Sequence, residues 1–347
     1  MATANNGNNT ENSMFRLKNP SEYKKCPPPT THSKMLVEKD GEVIGNCKRV
    51  VVKNVSWAIE DPSYEPFSND RPSFIGPIEK RPDYADNLDY TTIDFTKRPE
   101  CKNMLFFSNG CPKNPCGRTG SGKESRGFLG KWGVNRAGDP LVTTFRKNKN
   151  GTLELRNGLP IMDFIGVLRK DDGRGDDPKA LPGGMIEIQK KKLADGTLVN
   201  VKILAPNGDE IDCYEDTVSA IVREFFEEAM ADMIGDEKVR AVEEITSIMK
   251  NEAYVLYGVD ESSTDIMDGY VDDPRNGDNA WMSSLVKAWH DKSGIIFEKY
   301  KNRLFGGSDA KKAVIFSYHP DDDATFKMFA SHAEWIKFHY RNLVEIL

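Results

Sequence analysis

Cysteine and histidine are scarce in this chain of 347 residues, numbering six and five. Cys26, Cys47, Cys101, Cys111, Cys116 and Cys213 form no Cys-x-x-Cys pair, and no spaced histidine pair follows them. A structural zinc site is therefore not expected. The opening residues Met1–Thr10 lack the apolar core of a secretory signal and the Arg-rich amphipathic character of a mitochondrial presequence. The expectation is a cytoplasmic protein with reduced thiols. No run reaches the roughly 18 apolar residues that a membrane span requires. A basic excess is absent too: the formal net charge of −6 gives no electrostatic footprint for nucleic acid. What is there, 38% hydrophobic and 29% charged residues, reads as soluble and globular, with length for about two domains. Oligomeric state is left open.

Regular patterning is thin at the start. Residues 1–35 are rich in Asn, Thr, Pro and Lys and read as a disordered or extended arm. Residues 36–125 carry short apolar runs, such as Arg49-Val-Val-Val-Lys53, among aromatic–proline units like Arg71-Pro-Ser-Phe74 and Arg81-Pro-Asp-Tyr84. They read as a small, irregular N-terminal domain. Gly117-Arg-Thr-Gly-Ser-Gly-Lys123 imitates a phosphate-binding P-loop. Glu124 stands where that loop needs a hydroxyl, and no buried strand precedes it, so the reading is rejected.

From residue 126 the texture changes. Residues 141–145 and 161–168 read as strands, the second almost wholly apolar. Residues 188–193 and 198–204 flank Asp195-Gly196, a hairpin signal, and Pro206-Asn207-Gly208-Asp209 reads as a second turn. A β-hairpin insertion at about 188–212 is expected, as a lid, an oligomer contact or a tolerated surface insertion. Beyond it the pattern predicts helices over 236–251 and 324–347 and strands over 253–259 and 313–318. Alternating strands and helices point to an α/β sandwich around a mixed sheet.

The segment Asp216–Met230 carries the strongest signal. Val218, Ile221, Val222, Phe225 and Ala229 recur at the spacing of a buried helical stripe. Glu224, Glu227 and Glu228 share another face, a like-charge arrangement costing roughly 0.2–0.5 kcal/mol per pair in an isolated helix. A divalent cation such as Mg²⁺ or Mn²⁺ would neutralise it. A solvated acidic face is the alternative.

With Glu215, eight residues before Arg223, and Leu181-Pro182-Gly183-Gly184 upstream, this helix resembles the Nudix box, Gly-x5-Glu-x7-Arg-Glu-U-x-Glu-Glu-x-Gly-U, where U is aliphatic. Two departures stand out. Met230 occupies a glycine position, and about 25 residues are inserted between Gly184 and Glu215. Further runs sharpen the resemblance: Asn114-Pro-Cys-Gly-Arg-Thr-Gly120, Arg126–Asn135, Ala137-Gly-Asp-Pro140, Gly269–Met282, Gly307-Ser-Asp-Ala310 and Phe329-Ala-Ser-His332. Together they are similar to the two-domain ADP-ribose pyrophosphatase branch of the Nudix hydrolase superfamily, which also supplies a Nudix-like domain fused to a melastatin-type cation channel.

The resemblance implies a Nudix α/β/α sandwich over about 126–347 and a metal-activated water attacking the diphosphate of ADP-ribose, giving AMP and ribose 5-phosphate. It implies Glu224, Glu227 and Glu228 as catalytic metal ligands, with Glu215 and Gly184 beside them and Arg223 orienting a box glutamate. Asp273, Arg275, Asn135, Asn279, Asp309 and Phe329 fall at substrate-binding positions, although Asp272–Arg275 also reads as a capped turn and Asp309 as an ordinary loop residue. His290 and His332 read as structural. The alternatives in function are a non-catalytic ADP-ribose sensor, or a hydrolase of NADH or a diadenosine polyphosphate.

Overall fold

The computed structural model describes residues 43–44 and 47–347, apart from 69, 78–79, 83, 123, 170–178, 205–207, 209, 216, 245–264, 307–309 and 346. In chain order its main elements are β1 (Gly133–Phe145), β2 (Met162–Arg169), β3 (Lys179–Ala180), β4 (Gly184–Met185), β5 (Lys190–Lys192), β6 (Leu198–Asn200), β7 (Lys202–Leu204) and β8 (Glu210–Asp212). There follow α1 (Thr217–Ala229), β9 (Asp265–Tyr270), β10 (Ala280–His290), α2 (Ile295–Tyr300), β11 (Ala310–Tyr318) and α3 (His332–Glu345). Before β1 the chain holds two-residue ladders, short 3-10 turns and a four-residue helix.

A seven-stranded sheet in the order β9-β10-β1-β2-β11, with β4 on β1 and β3 on β2, forms the middle layer. Only β1 and β10 run parallel among its pairs, so the sheet is mixed. Its two faces are apolar because side chains alternate along each strand. Val142, Ile165 and Val167 face α1, through Ile221, Val222, Phe225, Phe226 and Ala229. Leu141, Phe145, Met162 and Phe164 face α3, through Trp335, Ile336, Tyr340 and Leu343. The result is the α/β/α sandwich. No helix among the described residues is long and apolar enough to cross a membrane.

β1 forks. Its C-terminal residues 143–145 pair with β2, whereas residues 137–138 pair with β4. Between these contacts β2 turns to β3 instead. The segment Leu181-Pro182-Gly183 bridges the opening from β3 to β4, which sets the glycine pair beside the middle of β1.

The expected strands over 141–145, 161–168 and 313–318 are realised as the longer or shifted β1, β2 and β11. The terminal helix begins at His332, not at Ala324. Residues 324–331 hold turns and irregular backbone instead, with a positive φ of 45° at Ala330. Residues 235–244 are helical, as expected for the start of 236–251; the strand over 253–259 lies outside the described residues. β9 and β10 carry no periodic signal in the sequence. β10 is buried along its whole length, and its polar residues find partners inside. Ser283 accepts from Arg136, and Ser284 donates to Asp139.

One such network joins three elements. Thr143 Oγ1 on β1 lies 2.9 Å from His290 Nδ1 on β10 and 3.1 Å from His339 Nε2 on α3. The hydroxyl also reaches the Trp289 carbonyl at 3.4 Å, so its one proton and two lone pairs are shared among these three partners. Burial holds both imidazoles neutral, pulling His290 down to about 4 and His339 to about 3. An unfolded histidine titrates near 6.5. Below that pH the unfolded chain binds protons that the native chain refuses, so native stability is lost as pH falls from about 6.5 towards 3. In urea unfolding between pH 6 and 4.5, His339→Gln is expected to reduce this decline by about 1 kcal/mol per pH unit. An unchanged slope would show that His339 is not held neutral.

Candidate active site

α1 is built to place carboxylates at the fork. Thr217–Ala229 contains neither glycine nor proline, and its apolar stripe locks one face to the sheet. The three glutamates of the other face do not share one environment. Glu224 and Glu228 are 8% exposed, whereas the Glu227 side chain is 52% exposed. Glu228 Oε2 accepts the Gly183 amide at 2.9 Å. A Cβ on Gly184 would run into the Glu224 carboxylate, and one on Gly183 into Asp139. Both glycines are therefore demanded by close approach, not by a special backbone conformation.

Arg223 ties the cluster together. Its guanidinium lies 2.6 Å from Glu215, 2.9 Å from Glu224 and 3.0 Å from Glu227, and it donates to the Met185 carbonyl at 3.1 Å. Glu215 takes two of its nitrogens, with Nη2 on Oε1 and Nε on Oε2. Even so, burial, followed by the Glu228 and Glu227 carboxylates, pushes Glu224 up to about 8 against the pull of Arg223. A buried carboxylate in that condition calls for further positive charge. Hard oxygen donors at Glu224 and Glu228, beside the Gly184 backbone, fit a divalent cation of the Mg²⁺ or Mn²⁺ type. The side chains as they stand form no ready cage: among the described residues no group of three His, Cys, Asp or Glu is arranged to hold a metal.

The insertion closes on itself before α1 begins. It is two hairpins, β5 with β6 and β7 with β8, which meet where Gln189 accepts from Val201 and Val201 accepts from Cys213. At the base the Glu215 amide donates to the Glu187 carbonyl at 3.0 Å, and the Glu187 amide donates to Glu215 Oε1 at 3.0 Å. Glu215 thereby returns to the glycine loop as though the arm were absent.

Between β9 and β10 lies the turn Asp272–Asn276. Asp273 grips Arg275 through Nε at 2.8 Å and Nη2 at 2.7 Å. Burial would raise Asp273; Arg275 outweighs it and holds the carboxyl below its ordinary range. Arg49, fully buried, fixes this turn by donating to the carbonyls of Pro274 and Asn276, each at 2.7 Å, and to Thr119 at 2.9 Å. Asp278 next to it accepts from Tyr64, and from the Thr119 amide and hydroxyl. The glycine-rich residues 117–122 are thus part of the clasp between the N-terminal segment and this turn.

Asp139 joins the two halves. It touches the Gly183 position and accepts from Ser284. Burial raises it to about 6, while Arg169 and Arg275 pull it down. His332 Nε2 stands 3.9 Å from Asp139 Oδ1, and its Nδ1 accepts the Leu181 amide, which leaves the ring proton on Nε2. Phe329 lies edge-on to His332 with Arg169 over its ring. The structure therefore gathers Glu215, Arg223, Glu224, Glu227, Glu228 and Gly184, and beside them Asp273, Arg275 and Phe329. Asn135 is buried, its amide bound to Lys131 and Gly133, and the Asn279 amide donates to Pro112. Asp309 lies outside the described residues. Asp139 and Arg169 escaped sequence reasoning. Asp139 sits in the noted run Ala137–Pro140, but no spacing rule separates it from its neighbours.

Residues 50–133 match the family described as "NUDT9-like, N-terminal domain". The chain is 30% identical over 298 residues to "ADP-ribose pyrophosphatase, mitochondrial" of Rattus norvegicus, covering 83% of this chain and 72% of that protein. It is 31% identical over 268 residues to "Transient receptor potential cation channel subfamily M member-like 2" of Nematostella vectensis, covering 72% of this chain and 14% of the channel. Among solved structures it is similar to a bifunctional NMN adenylyltransferase/ADP ribose pyrophosphatase from Francisella tularensis, complexed with AMP and Mn ion, at 16% identity and a TM-score of 0.31, covering 61% of this chain and 43% of that one. With the box assembled on α1 and the rat protein matched over most of both chains, the chain belongs to the Nudix hydrolase superfamily, in its two-domain ADP-ribose pyrophosphatase branch.

Proposed function

We propose that this protein hydrolyses the diphosphate bond of ADP-ribose to AMP and ribose 5-phosphate, using Mg²⁺ or Mn²⁺. In this reading residues 36–125 form a small N-terminal domain and residues 126–347 the hydrolase domain. One observation carries the proposal: the buried Glu224–Glu228 pair lies against the Gly183–Gly184 turn that touches Asp139, and the Asp273–Arg275 pair is near enough to act on the same Asp139 carboxyl. An acidic edge for a cation and a guanidinium for phosphate oxygens are the two halves of a diphosphate site.

Glu224 and Glu228, with the Gly184 backbone, would hold the cation. When bound, it supplies charge neutralisation of the diphosphate and lowers the pKa of the attacking water. Arg223 keeps Glu224 and Glu227 in register with the glycine loop, and Glu215, whose oxygens both engage Arg223, fixes that guanidinium. Arg275, anchored by Asp273 and partly exposed, faces the phosphate oxygens. Phe329 offers an aromatic face for the ligand. The relatives fused to channels make a binding module the second reading, and the complete set Glu215, Arg223, Glu224, Glu227 and Glu228 favours the enzyme.

Incubating the protein with Mg²⁺ and ADP-ribose, NADH, ADP-glucose or a diadenosine polyphosphate, and following AMP, tests this. AMP is expected fastest from ADP-ribose. Tight ADP-ribose binding without product would establish the sensor, and preference for another compound would move the substrate. Glu224→Gln with Glu228→Gln is expected to lower turnover by more than about 100-fold, beyond the usual cost of perturbing groups that merely support a metal site. The fold should be retained, since two buried charges are removed; normal turnover in this variant would sink the mechanism. Arg275→Met should lower kcat/KM for ADP-ribose by about 10–100-fold, the equivalent of a charge-assisted contact of roughly 1.5–3 kcal/mol. An unchanged kcat/KM would remove Arg275 from the site.

A further inference from the structure

The arm is fastened to the N-terminal segment by the residue just before Glu215. Tyr214 is buried, and its hydroxyl accepts from Lys131 Nζ at 3.1 Å and donates to Glu100 Oε1 at 3.2 Å. The Lys131 ammonium also lies 4.6 Å from the centre of the Tyr214 ring. Glu100, on a 3-10 turn at Pro99–Cys101, is 1% exposed, and its Oε2 finds no hydrogen-bond partner among the described residues. This is a directed chain, ammonium to phenol to carboxylate, with charge assistance at both ends in a buried setting. Beneath the hydroxyl, the Tyr214 ring packs with Ile186, Ile188 and Ala220, the last on α1.

The register turns this chain towards the box. Tyr214 bridges Ile188, and the Glu215 amide donates to the Glu187 carbonyl, so residues 214 and 215 run as a strand against 187 and 188. Successive side chains in an extended segment point to opposite sides. Glu215 reaches Arg223, and Tyr214 reaches Lys131 and Glu100. Fixing the phenol therefore fixes the direction of the carboxylate that grips Arg223, through which Glu224 and Glu227 are held. The box pattern brings its first glutamate back from the glycine by a short turn. Here thirty residues intervene between Gly184 and Glu215, and the phenol contact is an anchor that such a turn would not need.

We propose that Tyr214 is a positioning residue for the metal edge, and that Glu100 of the N-terminal segment and Lys131 just before β1 set the cation affinity of the box through it. The inference rests on the reading that the box binds a divalent ion. It concerns how residues outside the box control that binding.

The test is a Mn²⁺ titration without substrate, read by water-proton relaxation, alongside thermal unfolding and the Mg²⁺ dependence of hydrolysis. Tyr214→Phe keeps the ring packing and removes the hydroxyl. It is expected to weaken Mn²⁺ binding about tenfold, in the range found for groups that orient metal ligands, and to raise the Mg²⁺ needed for half-maximal hydrolysis by a similar factor. Activity should recover as Mg²⁺ is raised, with the thermal midpoint within a few degrees of the parent. Mn²⁺ affinity equal to that of the unaltered protein would overturn the proposal. Should Tyr214→Phe fail to fold, Lys131→Met leaves tyrosine and ring contacts in place. The same loss of affinity there supports the proposal, and unchanged affinity overturns it. Absence of Mn²⁺ binding by the unaltered protein would instead defeat the metal-site reading itself, an outcome separate from the one that defeats the latch.

Discussion

Arg223 is the fixed point of the site. A single guanidinium reaches Glu215, Glu224, Glu227 and the Met185 carbonyl. It joins the helix, the base of the arm and the strand after the glycine pair. An arginine suits this work because its nitrogens form a planar fork that stays charged. It does not satisfy the cluster, since Glu224 is still driven up to about 8, by burial first and then by its acidic neighbours. The chain alone organises these carboxylates and leaves them short of positive charge, the state in which a cation site gains most from its ion.

The fork in the sheet gives that cluster its place. β1 cannot pair with β2 along its whole length, because residues 137–138 are taken by β4. The gap admits Gly183 and Gly184, and side chains at either position would collide with Asp139 or Glu224. Packing at the fork and chemistry at the fork make the same demand for small residues. The N-terminal segment braces the site at two points. Arg49 and the Asp278 network hold the Asp273–Arg275 turn, and the Lys131–Tyr214–Glu100 chain holds the end of the arm.

The two departures from the family pattern are absorbed differently. Met230 stands at a glycine position, yet its φ is not positive and its side chain is fully buried in the core under α1. Nothing in the backbone there calls for glycine. The inserted arm is closed at its base by the Glu187–Glu215 bonds, which leave Glu215 within reach of Arg223.

The sequence by itself pointed to the sandwich through its alternation of strands and helices, to the helix within 216–230 through its apolar stripe and to the turn at Asp195-Gly196, while the box residues entered through resemblance to a family pattern. Periodicity and turn chemistry are local matters. It did not reveal β9 and β10, because β10 is buried throughout and satisfies Ser283, Ser284 and His290 with partners far away in the chain. Nor did it separate Glu227 from Glu224 and Glu228, since helical spacing assigns a face but not the depth at which a neighbouring loop covers it. Asn135 and Asn279 matched ligand positions, while their amides are bound to the chain's own carbonyls. Asp139 and Arg169 became visible only when the fork brought them to the glycine loop. Tertiary structure decided these points because burial and long-range pairing, which set a side chain's charge and its partner, depend on segments that sequence spacing does not connect.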